Sequence, residues 1–293
     1  MDEHEEIAAW EAAGRRIDTP TGQVWLRHVP AATDHGLDPV LVLHGFPTSS
    51  HDWRHVLGAL SAERDVVLFD FVGFGLSDKP DHRYRLEDQA DVAEAVVAAV
   101  GCDRVALVSH DMGNSVGGEL LARDLDGRLG FAVSRRVLTN GSIYIDMAQL
   151  TDGQQLLLSL DDGPFDLGDG GAAFRDGMAS TFSPDHPAGD DELACAWALT
   201  ARADGHTLLA RTIRYVEDRR AREARYTGAI ESHPAPLGVV WGRVDPVAVA
   251  AMAERLVAAR PDAPLVWLDD VGHWPMVETP TPFADAVLGM LDG

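Results

Sequence analysis

From Val24 to Leu291 the chain alternates short apolar runs with segments in which apolar residues return every three or four positions. Strands followed by crossover helices build a mostly parallel sheet covered on both faces, so this order predicts an α/β fold. The runs place strands over Gln23–His28, Val40–His44, Asp65–Asp70, Arg104–Ser109, Arg136–Thr139, Leu237–Trp241 and Pro264–Leu268, with Arg15–Asp18 as a further edge strand. Helical spacing covers Leu86–Val100, Met112–Asp124, Val247–Ala259 and Thr281–Leu291.

The rhythm stops at Ile143 and resumes after Ser232. The stretch between is first rich in Gly and Asp, then helical, and holds no run that reads as a buried strand. A segment of that length between two sheet strands must form a small layer of its own, and above the C-terminal ends of the strands it acts as a lid. Residues 1–142 and 233–293 are therefore expected to form the core and residues 143–232 a helical lid. With 293 residues, 46% of them hydrophobic, the chain can bury one large core and carry such an insertion. The acidic loop Asp161–Gly170 lacks the alternating carboxylates of a calcium site and is read as a hinge.

A formal charge of -23 argues against nucleic acid and anionic membranes as partners, since both select basic patches. A small, apolar, neutral or cationic substrate is expected instead. Cys102 and Cys195 have neither metal-ligand spacing nor the density of a disulfide scaffold, and no metal or cofactor is implied. The stretch Met1–Glu6 is acidic where a secretory signal is basic, and no apolar run reaches membrane-spanning length, so a cytoplasmic protein is expected.

The segment Val108-Ser109-His110-Asp111-Met112-Gly113-Asn114 puts an aspartate where a strand turns sharply into a helix, with Gly117 and Gly118 thinning that helix for close packing. Asp245 follows the run Val239–Val244, and His273 lies in Asp270-Val271-Gly272-His273-Trp274-Pro275, past the last strand. All three fall at C-terminal strand ends, where open α/β sheets place ligands. Alone, each acid reads equally as a helix cap and the histidine as a structural one; together they form a nucleophile, acid and histidine in chain order. In His44-Gly45-Phe46-Pro47 the backbone matters most: the N–H groups of Phe46 and Met112 read as converging on a developing oxyanion, with a tight Gly-Pro turn that only positions the chain as the other reading. Ser109 and Ser115 flank the tip without occupying it, which disfavours a serine esterase. Asn140, after the sixth strand, carries a neutral amide, which leaves Asp245 as the acid. The Gly-x-Gly within Asp70–Asp78 does not complete a dinucleotide fingerprint and reads as a turn.

These motifs together resemble the α/β-hydrolase superfamily, in the branch of epoxide hydrolases and haloalkane dehalogenases. Within it, His44–Ser50, Asp78-Lys79-Pro80, Ser109-His110-Asp111 and Asn140-Gly141 look closest to mesoderm-specific transcript-type hydrolases. The resemblance implies an eight-stranded, mostly parallel sheet with a lid, and an ester formed on Asp111 that water cleaves with His273 as base and Asp245 orienting it. An aspartate needs no base for its attack, being ionised near neutral pH.

The leaving group separates the two chemistries. An epoxide oxygen needs a proton, and Tyr215 stands before Asp245 at a spacing similar to that of the lid tyrosine of epoxide hydrolases. That family pairs two such tyrosines, and a second is not evident; Tyr144, Trp197 and His186 are candidates to line the pocket, with Trp197 and His186 also readable as lid packing and loop. A halide needs N–H donors, and Met112 stands where haloalkane dehalogenases carry tryptophan. A fluoroacetate-type site would want arginines beside the nucleophile, and the elbow has none. Epoxide hydrolysis is therefore the first reading, carbon–halide hydrolysis the alternative, and a ligand-binding protein on a hydrolase scaffold a third.

Overall fold

The computed structural model describes residues 3–292; Met1 and Asp2 of the acidic N-terminal stretch lie outside the described residues. Its strands are β1 (Arg15–Thr19), β2 (Gly22–Val29), β3 (Val40–Leu43), β4 (Val66–Phe69), β5 (Arg104–His110), β6 (Ala132–Thr139), β7 (Leu237–Gly242) and β8 (Leu265–Leu268). They form one eight-stranded sheet in the order β1-β2-β4-β3-β5-β6-β7-β8. Only the pairings of β1 with β2 and β2 with β4 are antiparallel. Every residue of β3, β4 and β7 is buried, as strands between two helical layers must be.

The helices are α1 (Glu3–Ala12), α2 (Leu57–Leu60), α3 (Leu86–Val100), α4 (Met112–Leu125), α5 (Asp152–Ser159), α6 (Ala172–Ala179), α7 (Asp190–Ala201), α8 (Leu209–Thr212), α9 (Tyr215–Ser232), α10 (Ala250–Ala259), α11 (Pro275–Glu278) and α12 (Pro280–Asp292). Helix α10 starts three residues later than its apolar spacing suggests. The Asp245 carboxylate accepts the N–H groups of Val247 at 2.7 Å and Ala248 at 2.9 Å, which holds those residues in a turn. Strand β6 starts four residues earlier than expected, because Ala132 and Val133 pair with Arg104 and Val105 across an irregularity in the ladder. Arg135 and Arg136 break the apolar run there. Arg136 is nonetheless fully buried, and its guanidinium donates to the carbonyls of Ile230 (2.6 Å), His233 (2.8 Å) and Ala235 (3.2 Å), closing the end of α9.

Between β6 and β7, residues 143–232 hold α5 to α9, two 3₁₀ turns and, among the described residues, no strand. Helix α9 lies on α4, and small and paired residues set that contact. A Cβ at Gly118 would stand 2.8 Å from the Tyr226 carbonyl oxygen. Beside it Arg219 Nε donates to Ser115 Oγ at 2.7 Å, and Arg225 Nε donates to the buried Glu119 carboxylate at 2.6 Å. Among the described residues no helix is long and apolar enough to cross a membrane.

The approach at Gly118 is backbone to backbone, so a larger residue must push α9 away. Gly118→Val is expected to lower stability by about 1–3 kcal/mol, read as a shift of the urea midpoint; an unchanged midpoint would show that the two helices do not depend on this contact.

Candidate active site

Strand β5 ends at His110 and α4 begins at Met112, leaving Asp111 alone between them at φ 46°, ψ -113°. A non-glycine residue with positive φ is rare and strained, and it projects the carboxylate upward from the sheet edge. Neighbouring glycines make room for this geometry. A Cβ at Gly45 would come within 2.8 Å of Asp111 Cβ, and one at Gly141 within 2.7 Å of Asp111 Cα. The Asp111 N–H donates to Asn140 O at 2.8 Å, and its carbonyl accepts from Asn114 N at 3.0 Å. Ser109 donates to Asn114 Oδ1 at 2.6 Å, so it braces the elbow from below and is not aimed at a substrate.

The carboxylate is met from above. Phe46 N–H donates to Asp111 Oδ2 at 3.0 Å. Met112, first in α4, carries an N–H with no acceptor one turn earlier in its helix, as at every helix start. Tyr215, at the start of α9, is 3% exposed and its ring centre lies 5.6 Å from that of Phe46. Burial and the nearby Asp111 carboxylate both push its phenol well above the usual tyrosine range, so it stays protonated.

The histidine stands beyond. His273 Nδ1 bonds Asp245 Oδ2 at 2.8 Å, and the same oxygen accepts from Asn140 Nδ2 at 2.8 Å. Burial works against charge on His273, but Asp245, Asp111 and Glu278 outweigh it and raise its pKa to about 9. Burial likewise disfavours ionised Asp245, yet the imidazolium, Asn140 and the Ala248 N–H keep its carboxyl below the usual range. The loop carrying His273 is folded around Glu278, which accepts from Gly272 N at 2.7 Å, Trp274 N at 2.8 Å and Ser183 N at 3.0 Å. His110, its ring centre 4.9 Å from that of His273, donates from Nε2 to the His273 carbonyl at 2.8 Å. Desolvation and the neighbouring charge lower His110 to about 4, so of the two rings only His273 is a proton carrier near neutrality.

Over this group lies a cavity of about 130 Å³, partly open to solvent, whose floor includes Phe46 and His273. Leu156, Leu157, Phe165, Phe174 and Met178 make its far wall apolar. Asp111, Asp245, His273, Phe46, Met112 and Tyr215 thus come together, and Trp197 lines the cavity, packed at 5.5 Å between ring centres on Phe174. Tyr144 and His186 do not line it. The Tyr144 hydroxyl is spent on Glu231 at 2.7 Å beneath Arg255, and His186 Nε2 faces Asp270 at 3.1 Å. Two further residues escaped the sequence reading: Glu278, which binds only backbone N–H groups, and Arg219, which long-range packing of α9 brings beside the elbow. Among the described residues no group of three His, Cys, Asp or Glu is arranged to hold a metal.

An elbow residue after the fifth strand, an acid after the seventh and a histidine after the eighth define the scaffold of an α/β hydrolase. The chain belongs to the α/β hydrolase family, whose model matches residues 40–286. It is 42% identical over 292 residues to the LipZ protein of Mycobacterium tuberculosis (strain ATCC 25618 / H37Rv), covering 97% of this chain and 98% of that one. It is 32% identical over 272 residues to the mesoderm-specific transcript homolog protein of Homo sapiens, covering 86% of this chain and 78% of that one. A haloalkane dehalogenase of Agrobacterium fabrum (strain C58 / ATCC 33970) is 32% identical over 141 residues, 48% of this chain and 45% of its own length. The relatives thus include mesoderm-specific transcript proteins and haloalkane dehalogenases.

The raised pKa of His273 has a definite sign. The stabilisation from its pair with Asp245 is full below the unfolded value near 6.5 and is lost as pH rises through about 9. Nitrogen-15 NMR of the imidazole should show titration near 9 in the wild type and a lower value in Asp111→Asn; the same value in both would separate His273 electrostatically from Asp111.

Proposed function

We propose that the protein is an aspartate-nucleophile hydrolase, and that its reaction is the opening of an epoxide to a vicinal diol. The observation that carries this reading is the placement of one protonated phenol, Tyr215, and one backbone donor, Phe46 N–H, on the same buried carboxylate. One oxygen of Asp111 is held by Phe46; the other is the attacking atom. Its bond to a ring carbon forms as the carbon–oxygen bond of the epoxide breaks, and the Tyr215 proton passes to the departing oxygen. The resting His273 imidazolium gives its proton to the Tyr215 phenolate, and the neutral ring then takes a proton from water, which adds to the ester carbonyl, whose oxyanion meets the N–H groups of Phe46 and Met112. Collapse frees the alcohol, which takes the second water proton, and leaves Tyr215 and His273 protonated as at the start.

Asp111 also times the base. While it is a free carboxylate it raises His273, and once esterified it no longer does, so the imidazole is released to accept a proton when water must attack. Residues 143–232 serve in this reading as the lid, excluding water and supplying Tyr215, with residues 1–142 and 233–293 as the core. The apolar wall favours a substrate with a hydrocarbon body.

Carbon–halide hydrolysis is the second reading, favoured by the name of the Agrobacterium relative. The side chains flanking the carboxylate argue against it, since neither the Phe46 ring nor the Met112 thioether carries an N–H to meet a departing halide.

In His273→Gln the ester should form and persist, visible in intact-protein mass spectrometry as the added mass of an epoxide probe such as styrene oxide. Adding Tyr215→Phe to that variant should slow adduct formation from the epoxide at least about tenfold and slow it much less from a matched bromide. An unmodified mass with a turned-over substrate counts against the ester, and equal slowing of both adducts counts against Tyr215.

A further inference from the structure

Helix α9 carries four arginines, and they are not equivalent. Arg222 pairs with Glu87, and Arg225 with Glu119 and Asp126. Arg220 is exposed. Arg219 is 2% exposed, yet it forms no ion pair with any carboxylate among the described residues. Its Nε is spent on Ser115 Oγ at 2.7 Å and its guanidinium lies 4.9 Å from the centre of the Tyr215 ring, while Nη2 has no hydrogen-bond partner among the described residues. A buried cation without a counter-ion is costly, and such a group is retained where an anion completes it.

Arg219 faces a small chamber of about 50 Å³ that Tyr215, Ser142, Leu150 and the exposed Arg220 also line. Gln154 and Val247 line both this chamber and the large apolar cavity, so the two adjoin, and Tyr215 lies on the wall of the smaller one. Ser115, to which Arg219 is tied, lies one helical turn beyond Asp111, a rise of about 6 Å. A carboxylate on Arg219 thus sets the carbons two and three atoms away over Asp111, and a tail attached to them runs into the apolar cavity.

We propose that Arg219 forms a carboxylate subsite and that the substrates are 2,3-epoxyalkanoic acids, bound acid end inward and hydrocarbon end toward the large cavity. The proposal rests on the hydrolase reading above and names its substrate class. It departs from the neutral or cationic substrate that the charge alone suggests: an anionic substrate must approach a carboxylate in a chain of formal charge -23, and Arg219 offsets both charges locally. The guanidinium matches a planar carboxylate with two parallel N–H donors, which the corresponding amide or ester does not use equally.

Two measurements test it separately from the nucleophile. Calorimetry with unreactive octanoate and octanamide should show octanoate bound at least about tenfold more tightly by the wild type, with that preference abolished in Arg219→Met and partly kept in Arg219→Lys. Steady-state kcat/KM for trans-2,3-epoxyoctanoate against its primary amide should favour the acid by a similar factor. Equal binding and equal turnover of acid and amide by the wild type overturn the subsite whatever the variants do. Octanoate preference without turnover of the epoxy acid keeps the subsite and sinks the epoxide reading. Thermal melts of both variants identify any that fail to fold, in which case the wild-type acid-to-amide ratio decides.

Discussion

The backbone at Asp111 is forced into a positive φ that costs about 1–3 kcal/mol, and the packing around it is arranged to hold it there. Gly45, Gly113 and Gly141 let β3, α4 and the loop after β6 close on the elbow, and Asn140 and Asn114 fix its peptide groups. Larger side chains at those glycines would drive these elements apart. The parallel sheet supplies the rest: β3, β5, β6, β7 and β8 run alongside one another, so their C-terminal ends bring Phe46, Asp111, Asn140, Asp245 and the His273 loop to one edge.

Buried electrostatics then assign each group a state. Asp245 is locked by His273, Asn140 and two backbone N–H groups, so it orients and does not exchange protons. His273 is raised to about 9 because Asp245, Asp111 and Glu278 surround it, while burial and His273 itself hold His110 beside it low. Losing either member of the Asp245–His273 pair leaves a buried charge uncompensated, at about 3–5 kcal/mol. Helix α9 completes the site from its seat on α4 beside the elbow. Its register on α4, set by Gly118, Ser115 and Glu119, places Tyr215 and Arg219 over the elbow.

The sheet and the elbow were legible because their signals are local. Apolar runs of four to seven residues mark strands in any context, and a turn after a strand positions Asp111, Asp245 and His273 without knowledge of the rest. Boundaries moved where side chains competed with pattern, as when Asp245 held back α10 and two arginines hid the start of β6. Residues 143–232 were less legible because side-chain direction there follows from helix packing. Tyr215 was found from its spacing, but Tyr144 turned to Glu231 and His186 to Asp270, outside the cavity. Arg219 carried no signal at all, since 104 residues separate it from the serine that holds it.

The account stands on covalent attack by Asp111. A single turnover with excess enzyme in oxygen-18 water, using a 2,3-epoxyalkanoic acid, measures it directly. Attack by the carboxylate puts an unlabelled enzyme oxygen into the diol in the first turnover and leaves the label in Asp111, where peptide mass spectrometry finds it. A diol labelled in that first turnover, with Asp111 unlabelled, would mean that water attacks the substrate itself and would contradict the account.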